Sequence, residues 1–580
     1  MGNSRAASGS ELAQGANARE PGSPVRGERP RKVEIYDTTL RDGSQLEGIS
    51  LTVDDKLRIA EQLDWLGVDY IEAGWPGANP KDDEVFRRAA GELALTTSTL
   101  VAFGSTRRPK GKVDSDDTLR HLLEAATPAV CIVGKSWDYH VTEALGTTLD
   151  EGVAMVADSV TFLRGQGREV LFDAEHFFDG YKRSPEFALR VLEAAAEAGA
   201  TRLVLCDTNG GSLPDEVEET VREVVAYFAP GGAQSGGAGD VGVAVHLHDD
   251  AGTGVANALA GVRGGAIQVQ GTINGYGERT GNCNLTTIIP NLTLKMGIET
   301  IPADRLDRLT PVAHHVAELV NMALNPQAAY VGDSAFAHKA GLHVSAIAKR
   351  PAASEHVSPD AVGNGTRFVV SELAGRSTIL LKAKELGLDV DGPQVNDIVD
   401  TLKRMEHEGY HFEVADASLE LLMRRATGWE PDWFVVESFR VITDDLVPSS
   451  DAIAPPERAG VSTEATIKVR VGGERLVATA EGNGPVNALD QALREVLGGR
   501  FPALDRIHLT DYKVRVLDTQ KGTGAVTRVL IDSSNGDRTW TTIGVSENII
   551  EASWQALFDS LVFGLLHGTP PGPSGSGSAE

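Results

Sequence analysis

Between residues 33 and 297 the chain repeats one pattern: a short apolar or β-branched run, a polar or Gly-rich turn, then apolar residues at helical spacing. Eight runs predict strands: VEIY from 33, VDYIEAG from 68, TSTLVAFG from 97, AVCIVG from 129, EVLFDAE from 169, RLVLCDT from 202, VAVHLHD from 243 and AIQVQGT from 266. Segments such as VDDKLRIAEQLDWLG, SPEFALRVLEAAAEAGA and LPDEVEETVREVVAYFA keep the 3.6-residue period and predict helices between them. Strict alternation requires parallel strands joined by right-handed crossovers. Eight units in roughly 265 residues is the size at which a (β/α)8 TIM barrel closes. An open doubly wound sheet is the competitor, but no GxGxxG turn follows the first strand.

The pattern changes twice beyond the barrel at 31–297. Residues 298–430, with LDRLTPVAHHVAELVNMAL and DIVDTLKRMEHEGYHFEVADASLELLMRRA, predict a helical linker or lid. From 431 to 567, EATIKVRVGGERLVATAEGNGPVNALDQALREVL and AVTRVLIDSSNGDRTWTTIGVSENIIEASWQALFDSL share one plan, strand, turn, strand, Gly-containing break, helix. That duplicated β-β-α pattern predicts an α+β C-terminal domain, either regulatory or purely dimerising. Residues 1–30 and 568–580 are expected to be disordered tails, and GGAQSGGAGD at 231–240 and DAIAPPERAGVS at 451–462 flexible insertions.

Composition narrows the function classes. The 580 residues, 41% hydrophobic, allow several domains with their own cores. No apolar run reaches ~18 residues and the N-terminus lacks an apolar stretch, so neither a membrane span nor secretion is expected. Three well-separated cysteines without a CxxC pair fit a reducing cytoplasm. A formal charge of -28 disfavours nucleic acid and anionic membranes as partners. The densest basic run, STRRPKGK at 105–112, reads as a solvated loop, with an anionic ligand as the lesser alternative.

The candidate chemistry lies at the strand ends, where such barrels carry their sites. HLHDD aims His246 and His248 in one direction, since side chains two apart on a strand share a face. Arg41 and Asp42 follow the first strand, Glu72 ends the second, Glu175 and His176 follow the fifth, Asp207, Thr208 and Asn209 the sixth, and NGYGERTGN the eighth. Charge gathered at a barrel mouth is hard to explain as packing. Two imidazoles and one carboxylate leave open positions on a divalent ion, as catalytic metal sites do. Asp42 is the best candidate for the carboxylate and the Asn282 amide oxygen for a fourth ligand, while Cys283 reads as a bystander. A non-haem iron oxygenase would share this donor set, but nothing in the sequence suggests an oxygen-activating pocket.

DTTLRDGSQ, HLHDDAGTGVANALAG and GTINGYGERTGNCNL together resemble the acyl-CoA-dependent Claisen-condensing barrel family of 2-isopropylmalate, homocitrate and citramalate synthases. Within it, GKSWDYHVTEALGTTLDEG and FDAEHFFDGYKRSPEFAL are most similar to the longer, second type of citramalate synthase. The resemblance implies condensation of acetyl-CoA with pyruvate on a divalent metal (Mn, Mg, Zn or Co) held by Asp42, His246, His248 and Asn282. It implies that Arg41 stabilises the developing alkoxide, that Glu175 works with His343 in acid/base chemistry, that Thr208 contacts the keto-acid carboxylate, and that Gln45 faces the acyl-CoA. The family's further tyrosine has no secure counterpart around SEHVSPDAVGNGTRF. A homodimer with isoleucine as effector is expected. The alternatives are a 2-isopropylmalate synthase, a lyase running the reverse cleavage, and a non-catalytic amino-acid sensor on the same scaffold.

Overall fold

The structure, a computed structural model, describes residues 30–229, 241–338, 350, 354–370, 375–444, 462–517 and 519–568. Its contacts divide it into two compact units, Met1–Phe336 with Val357–Gly365, and Ala337–His356 with Thr366–Glu580. The expected tails, the Gly-rich segment 231–240, the loop before Ser462 and His343 lie outside the described residues.

In the first unit, eight parallel strands close into a barrel in chain order. They are β1 (Glu34–Asp37), β2 (Tyr70–Gly74), β3 (Thr99–Ser105), β4 (Ala129–Lys135), β5 (Glu169–Glu175), β6 (Arg202–Asp207), β7 (Gly242–Leu247) and β8 (Gln268–Gly271), with β8 pairing back onto β1. Alternation along each strand separates two cores. Ile35, Ile71, Val130, Phe172, Leu203, Val245 and Val269 face the surrounding helices, whereas Tyr36, Tyr70, Val101, Phe103, Cys131 and Leu171 fill the interior. The interior is unusually polar, holding Glu72, Asp173, Gln268 and Gln270 at 0–3% exposure. At the end away from the mouth, Arg202 closes on Glu34 at 2.6 Å, and Gln268 Nε2 donates to the same carboxylate at 3.0 Å.

The helices start and stop where local chemistry directs. Thr52 and Asp55 form a reciprocal capping box at the start of helix Val53–Leu66, which ends at Gly67 with φ of 96°. Pro opens the helices Pro185–Glu197 and Pro214–Phe228, where a missing N–H costs nothing. The crossover from β1 is different: a 3-10 turn at Gly43–Gln45 comes first, so the segment carrying Arg41 and Asp42 is loop rather than helix.

The expected helical region at 298–430 is shared between the units: helix Leu309–Leu319 sits in the first, and helices Arg376–Glu385, Gly392–His407 and Asp416–Ala426 in the second. The C-terminal duplication holds, with one strand more per repeat than the β-β-α expectation. Two short strands, β9 (Ala337–His338) and β10 (Arg367–Phe368), pair first in the second unit; β11 (Val435–Asp444), β12 (Ser462–Val471) and β13 (Glu474–Gly482) then precede helix Pro485–Leu497, and β14 (His508–Val516), β15 (Thr527–Ser534) and β16 (Thr539–Ser546) precede helix Ile549–Gly568. Both three-stranded sheets are antiparallel. The extra strands, β11 and β14, are exposed along most of their length, although Tyr512, Val514 and Val516 alternate with Lys513 and Arg515 on β14. Helix Ile549–Gly568 is the one described helix long and apolar enough to cross a membrane, yet it packs Trp554, Leu557, Leu561, Phe563 and Leu565 into the core of its own unit.

Asp37, fully buried at the end of β1, gives a test of this packing. Burial pushes its carboxyl up to about 7, against the lowering effect of the Thr39 N–H and hydroxyl donors. The folded chain therefore keeps a proton that the unfolded chain has already lost, and stability falls as pH rises from the unfolded value of 3.8 towards 7. Asp37→Asn should flatten that fall in a Tm-versus-pH series. Parallel curves for variant and parent would show that Asp37 holds no such proton.

Candidate active site

The mouth of the barrel gathers residues from all eight strand ends. His246 continues the inward series of β7 after Ala244, and His248 follows one step beyond the strand, bridged to Asn282. Asp42, carried by the 3-10 turn after β1, meets both: its Oδ2 lies 3.1 Å from His246 Nε2 and 3.7 Å from His248 Nε2. One ligand atom from each of the three lies within 4.8 Å of the others, and all three residues are buried. Among the described residues this is the group able to hold a metal ion. Burial opposes charge on Asp42, but Arg41 and the two imidazoles outweigh it and hold the carboxyl well below the usual range. The imidazoles divide: burial is overcome at His246 by the Asp42 carboxylate, which raises it, while burial and His246 push His248 down to about 4.

The donor set fits a divalent ion. Asn282 supports it further: its Oδ1 is buried with no hydrogen-bond partner among the described residues, while its Nδ2 donates to the Tyr276 carbonyl. The NGYGERTGN turn admits that geometry only through glycine. A Cβ on Gly277 would come within 2.3 Å of Asn282 Nδ2, and one on Gly281 within 2.0 Å of the Gly275 carbonyl oxygen.

Arg41 is fixed before any substrate arrives. Its Nε donates to Glu72 Oε1 at 2.6 Å, and its guanidinium lies over the Phe103 ring at 3.8 Å. Glu72, at 0% exposure, also accepts from the hydroxyls of Tyr36 and Thr38, so this buried carboxylate is fully satisfied. Glu72 stood out in the sequence only as a polar strand end; its work is to hold Arg41.

Glu175, Thr208 and Gln45 line the same cavity of about 410 Å³ as Asp42, His246 and His248. Lys135, directly across on β4, pairs with the Glu175 carboxylate. Immediately after Glu175 the chain turns sharply: His176 has φ of 54°, and its N–H donates to Thr208 Oγ1 at 2.9 Å. An oxygen that already accepts is left to donate its own proton into the cavity. Cys283 is a bystander: its thiol faces the Gln270 carbonyl at 3.1 Å, and burial pushes it up to about 12. His343 lies outside the described residues. In the window of the expected tyrosine, Glu355 accepts from Thr366 Oγ1 at 2.5 Å and lies 3.5 Å from His338 Nε2.

Sequence reasoning missed the layer beneath the cluster. Gln270 Oε1 lies 2.9 Å from His246 Nδ1, and Gln270 Nε2 faces Asp173 Oδ1 at 3.4 Å. With the amide nitrogen turned to a carboxylate, its oxygen accepts from Nδ1–H, leaving His246 Nε2 free to bind a cation. Asp173 also accepts from Cys131 Sγ, and burial raises its carboxyl to about 6. The signal was present as inward positions of β5 and β8, but a lone Gln or Asp in a strand carries no motif.

Comparison with known proteins agrees along the whole described chain. Residues 32–313 match the HMGL-like family, residues 330–410 the homocitrate synthase post-HMGL domain-like family, and residues 413–564 the LeuA allosteric (dimerisation) domain. The chain is 50% identical to the (R)-citramalate synthase of Aquifex aeolicus, over 92% of this chain and 98% of that protein. It is 51% identical to the (R)-citramalate synthase of Synechocystis sp., over 92% and 96%. Identity is 33% to a probable 2-isopropylmalate synthase of Methanopyrus kandleri, over 91% and 97%.

If Gln270 orients His246, Gln270→Ala should weaken divalent-metal binding about ten- to hundredfold, as loss of such a supporting hydrogen bond does elsewhere. Titration of metal-stripped protein against a chromogenic chelator reads this directly. Parent-like affinity would remove the role.

Proposed function

This chain belongs to the (R)-citramalate synthase family, and on that ground we propose that its barrel condenses acetyl-CoA with pyruvate to give (R)-citramalate and CoA. The buried Asp42–His246–His248 cluster beside Arg41 carries the reading. A 2-keto acid needs its carbonyl made electrophilic and its carboxylate held, and both needs are met within one cavity. Asp42, His246, His248 and Asn282 would hold a divalent ion, whose chemistry when bound is Lewis-acid activation of that carbonyl. Arg41, braced by Glu72, presents a fixed cation to the oxygen on which charge develops, so no reorganisation is needed during attack. Thr208 donates to the keto-acid carboxylate. Glu175 takes a proton from the acetyl methyl group, with Lys135 holding it at the mouth; His343 is its proposed partner in that transfer. Gln45, exposed at the rim, lies where the acyl-CoA enters.

The C-terminal repeats serve dimerisation and regulation, with isoleucine as the proposed effector. Supporting the homodimer, β11 and β14 leave Val435, Ile442, Leu509, Val514 and Val516 exposed on the dimerisation-type domain.

Release of free CoA with pyruvate, 2-oxobutyrate, 2-oxoisovalerate and 2-oxoglutarate in turn, with and without chelator, tests the assignment. Pyruvate should be preferred and chelator should abolish turnover. Preference for 2-oxoisovalerate would make the enzyme a 2-isopropylmalate synthase, and chelator-insensitive turnover would remove the metal. Separately, Arg41→Lys should retain metal but lose about 10²–10³ in kcat, because lysine cannot reach Glu72 and the substrate oxygen together. A parent-like rate would sink that role.

A further inference from the structure

Two grooves leave the mouth, both lined in part by Arg41, Gln45 and Trp75, and they differ in charge. The first, about 580 Å³, runs over the loops after β1 and β2 past Lys56, Lys81 and Asp82. Lys56 is buried and closed on Asp82 at 2.6 Å. That leaves Lys81 as its peripheral cation, set beside Asp82 and Asp83 in sequence. The second groove contains the metal-type cluster and runs out along Thr106, Arg107, Arg108 and Pro109, on the loop after β3.

That loop is solvated only in part. Arg107 is buried at 4% exposure and pairs with Glu151 and Asp158, each at 2.7 Å, while its N–H donates to Ser159 Oγ. The Arg108 N–H donates to Asp116 and the Lys110 N–H to Glu151, and Lys110 takes φ of 61° to do so. The backbone is therefore clamped at three successive points. Beyond the clamp, Arg108, Lys110 and Lys112 are exposed, and none has an ion pair among the described residues. Arg108 lines the groove that holds the cluster, and the exposed Lys110 and Lys112 follow it on the same loop, so positive charge is set at the rim of a chain whose formal charge is -28.

Resting on the acetyl-CoA reading above, we propose that Arg108, Lys110 and Lys112 are the binding site for the phosphate groups of the coenzyme A half of the substrate. The thioester must lie at the cluster, while the diphosphate and 3′-phosphate lie at the far end of an extended arm, which places them at the rim. A preordered loop loses little entropy on contact, and rim cations act mainly on encounter and retention of the anion.

The test is steady-state kinetics of R108A/K110A/K112A at low and high ionic strength, with Lys81→Ala as the control for the other groove. The triple variant should raise KM for acetyl-CoA about tenfold or more at low salt, with the difference shrinking as salt screens both proteins. KM for the keto acid and kcat at saturation should stay within about twofold. Arg108→Glu should move the same parameter further in the same direction. Acetyl-dephospho-CoA, lacking the 3′-phosphate, should be less sensitive to the triple change. An acetyl-CoA KM that stays put, or that shifts as much in Lys81→Ala, overturns the proposal. Parent enzyme inactive with acetyl-CoA would instead defeat the functional reading itself.

Discussion

A carboxylate buried against two imidazoles is tolerable only if positive charge is supplied to it, and everything around Asp42 follows from that requirement. Arg41 lies 3.7 Å from Asp42 Oδ1, and Arg41 in turn is balanced by Glu72, which is balanced by two hydroxyl donors. Each member would be costly alone, and removing one strands its neighbour. The chain of compensations ends at the unpartnered Asn282 oxygen and at His248 Nδ1, both buried without a described partner. The divalent ion proposed above would account for the first by coordination.

The same requirement explains why the barrel interior departs from the usual apolar filling. Tyr36, Glu72, Asp173 and Gln270 occupy positions that Val or Ile would fill in a barrel built for stability alone. Closure puts β8 between β7 and β1, so a glutamine on β8 can hold a histidine on β7 while the Asp42 loop arrives from β1. Beyond this buried centre, Gln45, Arg108, Lys110 and Lys112 are exposed at the rim, the last three on a loop whose backbone is held by Ser159, Asp116 and Glu151.

Much of this was legible from local pattern. The eight strands lie within a few residues of their predicted places, Asp42, His246 and His248 meet as expected, and Glu175 and Thr208 line the same cavity. The repeated strand-turn-strand-helix plan also identified the C-terminal duplication. Two expectations held only in part. The extra strand at the start of each repeat was missed: β14 alternates apolar and polar residues over Tyr512–Val516, yet it is exposed along nearly its whole length and is held by its ladder to β15. The basic run at 105–112 is solvated as expected at Arg108, Lys110 and Lys112, but Arg107 faces inward to Glu151 and Asp158, partners 44 and 51 residues away.

The amino-acid sequence by itself determined the architecture and the chemical identity of the site. Both are written in periods of two and 3.6 and in residue types that strand ends do not need for packing. Tertiary structure alone decided which groups support the site. Gln270 reaches His246 across 24 positions and Asp173 across 97, and Glu72 reaches Arg41 across 31. Such pairs exist only once the sheet has closed on itself, because hydrogen bonds and ion pairs act over a few ångströms of space and are indifferent to distance along the chain.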